Sequence, residues 1–600
     1  MSERDFHEEE ALGKAYDARL MRRLLTYLKP HRGIVILSTV LLVLTSLLEL
    51  AGPYLTKLAV DDAIAGKDIP HLMRLGVLYF ATLLAAMVLG YAQIYLMQWV
   101  GQKIMLRLRE EIFGHLQTLH VGYYDKNPVG RLITRLTSDV EALNEMFTSG
   151  VVAIFGDIIM LLGIMGVLIA LDWKLALVTF AVLPFLFLLS LWFRKNVRET
   201  YRDVRIRLAR INSFLQEAIT GMSVLQIMGH EARSRNEFSG FNRDHTEAHL
   251  RSIFYYATFY PGVEFFSALA LAAVIWFGGG QILAGAFTLG VLVAFIQYVR
   301  RFYRPIQVLS EKYNILQGAM ASSERIFKLL DTPSAIVDPQ AETRPVAGAP
   351  CIEFENVWFA YKGEDWVLRD VSFTVQHGES VAFVGHTGAG KTTIMSLLLR
   401  FYDVQKGSIR LDGVDVRAWK LADLRRRMGL VLQDVFLFRG SVADNIRLGT
   451  EDITDDAVAR AAAHVNAAGF VERLPQGFAT DVGERGATLS TGQKQLLSFA
   501  RALAHDPEIL ILDEATSNVD TETEILIQDA LHRLLAERTS LVVAHRLSTV
   551  RDVDRIVVLH KGQIREMGTH QELLKLRGLY YKLYELQYKE QEPSELRAEA

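Results

Sequence analysis

VSFTVQHGESVAFVGHTGAGKTTIMSLLLRFY, Val371 to Tyr402, reads as strand, glycine-rich loop and helix in that order. β-formers cluster in VSFTV and SVAFV, as strands require, and TIMSLLLRFY has the apolar spacing of a helix. Between them GHTGAGKT, Gly385 to Thr392, fits G-x-x-x-x-G-K-[ST] in the setting that gives this pattern its meaning. Gly385, Gly388 and Gly390 let the backbone close around a phosphate and turn N–H groups inward, with Thr387, Ala389 and Thr393 completing the loop and helix start. The helix dipole adds positive potential at the same place. Lys391 supplies a mobile cation for the β- and γ-phosphates, and the Thr392 hydroxyl is a ligand for Mg²⁺. Taken alone, this stretch specifies binding of a nucleoside triphosphate and nothing further.

Upstream, DTPSAIVDPQAETRPVAGAP, residues 331–350, carries four prolines without apolar periodicity and reads as a linker. Before it, residues 1–330 read as a membrane domain. Apolar runs near the ~20 residues needed to span a bilayer fall at about 34–55, 75–100, 151–171, 175–193, 253–283 and 289–303. The connections alternate, short after the first, third and fifth runs and long and charged after the second and fourth. Arg and Lys crowd the N-terminal flank and both long connections, which places those parts in the cytoplasm by the positive-inside rule. Leu20 to Tyr27 has helical apolar spacing among arginines and is expected to lie along the inner interface. Tyr123 to Gly130 breaks the first long connection, and Gly221 with Met228 to Ser234 breaks the second; these are the expected tips.

The 600 residues exceed one hydrophobic core. Lys+Arg 65 against Asp+Glu 68 leaves no basic excess of the kind nucleic acid would require. The single cysteine, Cys351, excludes a disulfide framework and a thiolate metal cluster, and is expected as a small buried hydrophobe opening a strand. The acidic start MSERDFHEEE is unlike a cleavable signal peptide, so insertion is assigned to internal segments.

Downstream, residues 351–588 complete the nucleotide-binding domain, with 589–600 as a charged tail. ILILDE, Ile509 to Glu514, is an apolar strand ending in two carboxylates. Asp513 is placed to hold Mg²⁺ through water beside the phosphate loop, and Glu514 to polarise a water for in-line attack on the γ-phosphate. LSTGQKQLLSFARAL, Leu489 to Leu503, opens an amphipathic helix at Ser490 and Gly492, a second phosphate-receptive helix N-terminus. If both ends cannot reach one nucleotide, the serine end serves a nucleotide held by another chain.

With these motifs in order the chain resembles an ATP-binding cassette (ABC) exporter half-transporter over nearly its whole length. GHTGAGKT resembles Walker A, Gln433 in VLQD the Q-loop, Leu489-Ser490-Thr491-Gly492-Gln493 the signature and ILILDE Walker B. SNVD with Asp520 resembles the D-loop, VVAHR with His545 the switch histidine, and GERG, Gly483 to Gly486, the exporter X-loop. The resemblance implies an α-helical transmembrane domain of six spans, of the type I (or type IV) exporter kind, fused to an α/β P-loop NTPase domain. It implies ATP and Mg²⁺, with Tyr361 stacking on adenine and Thr392, Gln433 and Asp513 around the metal. Glu514 becomes the general base, His545 the γ-phosphate sensor and Gln433 a third catalytic group. The tips become coupling helices, the second reaching the partner's ATPase domain.

One departure is Thr491, where the family signature has glycine; a β-branched residue there weakens the site offered to the partner, while Glu514 is intact. This mixture resembles the catalytic-glutamate-bearing subunit of heterodimeric multidrug exporters, whose partner has a normal signature and lacks the glutamate. The expected activity is ATP-driven export of hydrophobic or amphiphilic compounds, whether drugs, lipids or peptides, across the inner (cytoplasmic) membrane. Glu49, Asp157 and Glu264, ionisable residues within spans, are the candidates for the substrate cavity, with Tyr256, Phe259, Tyr260, Phe265 and Phe266 as its aromatic lining. Arg300 and Arg301 are read as the cytoplasmic end of the sixth span. The competing readings are a homodimeric lipid flippase and an ATP-gated channel or regulatory membrane protein.

Overall fold

A computed structural model of the chain describes residues 17–339, 345–346, 348–513, 521–535, 538–544 and 550–587. The described residues fall into two units, Met1–Gln117 with Pro128–Pro333, and Thr118–Asn127 with Ser334–Ala600.

The first unit is helical throughout. Asp17 caps Ala18–Leu28 through its carboxylate, which accepts from the N–H groups of Arg19 and Leu20, and this is the short helix expected before the first span. There follow Arg32–Leu58, Ile69–Thr118, Val152–Leu171, Trp173–Phe180, Leu183–Thr220, Glu231–Leu283 and Leu289–Leu330. Among the described residues, five helical stretches are long and apolar enough to cross a membrane: Ala18–Ile64, Ile69–Thr118, Ile154–Leu171, Trp173–Thr220 and Glu231–Leu283. Large apolar side chains point away from the protein along them, Trp276 being 86% exposed, as hydrocarbon rather than water would permit.

Several expectations are altered. The fourth run, expected continuous over 175–193, breaks at Ala181 and Val182. Pro184, second in the helix Leu183–Thr220, has no N–H and its ring clashes with the carbonyl four residues back, that of Phe180, so the preceding helix stops there. The helix that carries the sixth run, 289–303, continues beyond it to Leu330. Arg301 donates to the main-chain carbonyl of Glu49, and the Tyr298 hydroxyl to that of Leu50 at 2.5 Å. Both carbonyls lie well inside the first apolar run, so the arginine pair does not mark the cytoplasmic end of the sixth crossing. The aromatic lining expected on the fifth run is partly core: Phe259 is buried, stacked on Phe193 at 4.0 Å, and Phe266 stacks on Phe185 at 5.9 Å.

Away from the apolar runs, Asp139 is buried and accepts from Ser322 Oγ at 2.9 Å and from Arg325 Nε at 3.0 Å. Removing a partner from a buried carboxylate leaves an uncompensated charge.

The second unit carries two sheets. In the first, β1 (Ile352–Ala360), β2 (Trp366–Val375), β4 (Lys406–Leu411) and β5 (Val414–Asp415) pair antiparallel in the order β2-β1-β4-β5. In the second, β3 (Ser380–Val384), β6 (Met428–Val431), β7 (Ile509–Asp513), β8 (Thr539–Val543), β9 (Arg555–His560) and β10 (Gln563–Gly568) take the order β10-β9-β3-β8-β7-β6. All neighbours there run parallel except β10 with β9. Every residue of β3, β7 and β8 is buried, the continuous apolar pattern of strands covered on both faces. Successive residues feed opposite cores. Val381, Phe383, Ile509, Ile511, Leu541 and Val543 enter one, and Ala382, Val384, Leu510, Leu512 and Val542 the other. Cys351 is buried just before β1, as expected.

The buried and exposed ion pairs give contrasting expectations for stability. Arg325→Ala should lower the thermal midpoint of the solubilised chain by several degrees. Arg410→Ala, whose partners are the half-buried Glu353 and the exposed Glu355, should move it by no more than about a degree. Differential scanning fluorimetry of both variants checks this.

Candidate functional site

The phosphate loop begins where β3 ends. Gly385 has φ +155°, and a Cβ there would lie 2.3 Å from the Leu559 carbonyl oxygen on β9. Gly388 and Gly390 have φ of +81° and +104°, and a Cβ at 390 would lie 2.5 Å from Leu368 Cδ2 on β2. Glycine is therefore required at 385 and 390 both for conformation and for space. Gly390 leads into the helix Lys391–Leu398, whose first N–H groups face the loop end. Thr387 and Gly388 are exposed, while Ala389 and Thr393 are buried beneath them.

Lys391 is only 6% exposed. Its Nζ donates to the carbonyl oxygens of Gly385 at 2.7 Å and His386 at 3.3 Å. Burial holds its ammonium below the usual lysine range, with the nearby charge of Asp513 pushing the other way. A nucleotide's phosphates would stabilise the charged form at this position.

β7 lies one strand from β3, across β8, and delivers Asp513 to the same strand ends. Thr392 Oγ1 donates to Asp513 Oδ2 at 3.1 Å. Two of the three expected metal-binding groups thus meet, and both are hard oxygen donors of the kind Mg²⁺ selects. Bound there, Mg²⁺ would neutralise charge developing on the phosphates. Gln433 stands exposed just past β6, and no hydrogen bond among the described residues joins it to Thr392 or Asp513. Glu514, Asp520 and His545 lie outside the described residues.

Tyr361 follows β1 half exposed, and its hydroxyl sits 3.1 Å from Thr393 Oγ1. Tyr402 packs edge-on against it at 5.2 Å. The Tyr402 hydroxyl donates to Asp125, in the segment Thr118–Asn127 that belongs to this unit. Sequence reading found that tip but not Tyr402. Nothing in a sequence links positions 277 apart, and Tyr402 stands past the end of the phosphate-loop helix with no motif around it.

The LSTGQ stretch forms a second helix start. Ser490 Oγ accepts from the Gln493 N–H at 3.3 Å, and Gln493 Oε1 accepts from the Ser490 N–H at 3.0 Å, a reciprocal cap on Thr491–Ala504. Ser490 and Thr491 are exposed, Leu489 and Gly492 buried. No hydrogen bond among the described residues joins 489–493 to the phosphate loop. The three span acids are not assembled either. Asp157 pairs with Lys312, while Glu49 and Glu264 are exposed without an ion pair among the described residues.

Comparison with known proteins agrees with this arrangement. Residues 35–306 match the ABC transporter transmembrane region and residues 368–517 the ABC transporter family. A Bacillus subtilis protein described as the uncharacterized ABC transporter ATP-binding protein YknV is 39% identical over 97% of each chain. The chain belongs to the ABC transporter family. An ATP-dependent lipid A-core flippase of Syntrophus aciditrophicus is 35% identical over 96% of each chain. The probable multidrug resistance ABC transporter YheH of Bacillus subtilis is 38% identical over 87% of this chain and 77% of its own. As an ABC transporter the chain is a multi-pass membrane protein with a fused ATPase domain, an enzyme whose hydrolysis of ATP is coupled to transport.

The Thr392–Asp513 pair yields a specific expectation. Asp513→Asn should abolish the gain in ATP affinity conferred by Mg²⁺ while leaving metal-free affinity within about threefold, since the phosphate loop is untouched. Titration of a fluorescent ATP analogue with and without Mg²⁺ measures both.

Proposed function

We propose that the chain is one half of an ABC exporter for amphiphilic molecules, acting in the cytoplasmic membrane with an unlike half-transporter as partner. The observation that carries pairing is the presence in one unit of two helix starts able to receive phosphate, with no hydrogen bond between them among the described residues. Lys391, Thr392 and Asp513 then form one half-site, and Ser490 with Gly492 belongs to the partner's nucleotide. At the chain's own loop the glycines and Lys391 hold the phosphates. Thr392 and Asp513 hold Mg²⁺, Gln433 completes its shell, and Tyr361 takes the adenine. Glu514 accepts the proton of the attacking water and His545 contacts the γ-phosphate.

Unlike partners are supported by Thr491. It occupies the first position of its helix, exposed, where glycine would leave the amides uncovered to a phosphate. The site this chain lends is weakened, whereas its own site retains the base. Relatives described as multidrug, lipid A-core and fatty acid transporters share amphiphilic cargo, which supports that substrate class. The exposed apolar side chains of the helix Met222–Ile227, Ile227 among them, suit a tip that docks on a partner's ATPase domain.

Purified by itself in lipid nanodiscs, the chain should hydrolyse ATP at less than about a tenth of the rate it reaches with its partner, the scale expected when transition-state contacts are lost. Robust turnover of the isolated chain would overturn the unlike-partner reading. Glu514→Gln in the pair should stop turnover and leave ATP binding intact.

A further inference from the structure

The chain's one thiol belongs to a cluster outside the nucleotide site. Cys351 just before β1, His377 in the turn between β2 and β3, and Asp412 in the turn between β4 and β5 present Sγ, an imidazole nitrogen and a carboxylate oxygen within 4.8 Å of one another. The cysteine is 1% exposed, the aspartate side chain 7% and the histidine side chain 61%.

From this geometry we infer a transition-metal site, with Zn²⁺ the fitting ion, formed by Cys351 Sγ, His377 Nε2 and Asp412 Oδ1. The carboxylate divides its work. Oδ2 accepts from Arg427, which also pairs with Glu508, so the aspartate is oriented from behind as ligating carboxylates are. Oδ1 is buried without a hydrogen-bond partner, although His377 Nε2 lies 3.0 Å away. With its proton on Nδ1, the imidazole faces Oδ1 with a lone pair, and a shared cation satisfies both atoms. The Asp412 N–H donates to the Cys351 carbonyl at 3.0 Å, fixing two of the three positions together. The Thr539 hydroxyl stands beside the sulfur.

Closing the set on one ion requires a movement of about 1 Å, which the exposed imidazole can make. An open cleft lined by Val346, Ala349, Gln376, His377 and Asp412 gives the ion its path. Mixed sulfur, nitrogen and oxygen donors select Zn²⁺ over Mg²⁺, so the ion that accompanies ATP does not compete. Binding joins the start of β1 to two turns and releases the thiol proton to solvent.

Co²⁺ is the optical probe, titrated into the full chain in detergent with Mg²⁺ in excess. The expected result is one equivalent per chain, a near-ultraviolet thiolate-to-cobalt band, and its loss on adding Zn²⁺. His377→Ala, at an exposed position that leaves the fold intact, should weaken binding about tenfold or more. Cys351→Ala should remove the band while nucleotide binding persists as the check on folding. Absence of the band in the native chain, or its survival in both variants, would overturn the site. Loss of export activity plays no part in the readout, so failure here leaves the exporter reading untouched.

Discussion

A buried ammonium held by main-chain carbonyls is the constraint from which the ATPase unit follows. Lys391 donates to Gly385 and His386 within its own loop, a position that burial makes costly for a cation. Negative charge from phosphate relieves that cost, so binding and relief are one event. The loop can hold this shape only because both sheets crowd it. Gly385 lies against Leu559 of β9, and Gly390 against Leu368 of β2. The Arg369 N–H donates to the Gly562 carbonyl at 2.8 Å and ties β2 to the turn after β9. The nucleotide position is therefore fixed by the junction of two sheets rather than by the loop's sequence alone.

The second helix start obeys different physics. Ser490 satisfies the N–H of Gln493 by itself, so the helix is stable without an anion and its remaining amides are free for one. Burial still disfavours the Lys391 ammonium despite the charge of Asp513, whereas Ser490 has met its own requirement. This asymmetry suits a site in which one chain binds nucleotide and another closes over it. Thr491 begins this helix without disturbing the cap.

How far the sequence revealed this depended on the range of each interaction. The phosphate loop and β7 were legible because strand, turn and helix chemistry is local. Alternate residues of β3, β7 and β8 go to opposite cores, and that follows from strand geometry once the strands are seen. The break before Leu183 was written in Pro184, yet the hydropathy of the run obscured it. Long-range pairings left no local mark. Tyr402 with Asp125, Arg301 with the Glu49 carbonyl, and Cys351 with His377 and Asp412 all join distant positions whose residue types are unremarkable where they stand. Thr392 with Asp513 was legible despite its distance because each half sits in a motif of its own.

Ionisable groups in the membrane half show why the candidate cavity residues did not behave as a set. A charge in an apolar surrounding is costly unless paired, and the helices meet that requirement among themselves. Asp157 takes Lys312, and Arg301 is held by a main-chain carbonyl of the first long helix. Such groups set helix position. Phe259 does the same with apolar surface, closing on Phe193. What remains outward-facing is Glu49, Glu264 and a broad array of aliphatic and aromatic side chains, Tyr260 and Phe265 among them. Where charges pair and rings stack among the helices themselves, they fix how the helices pack against one another.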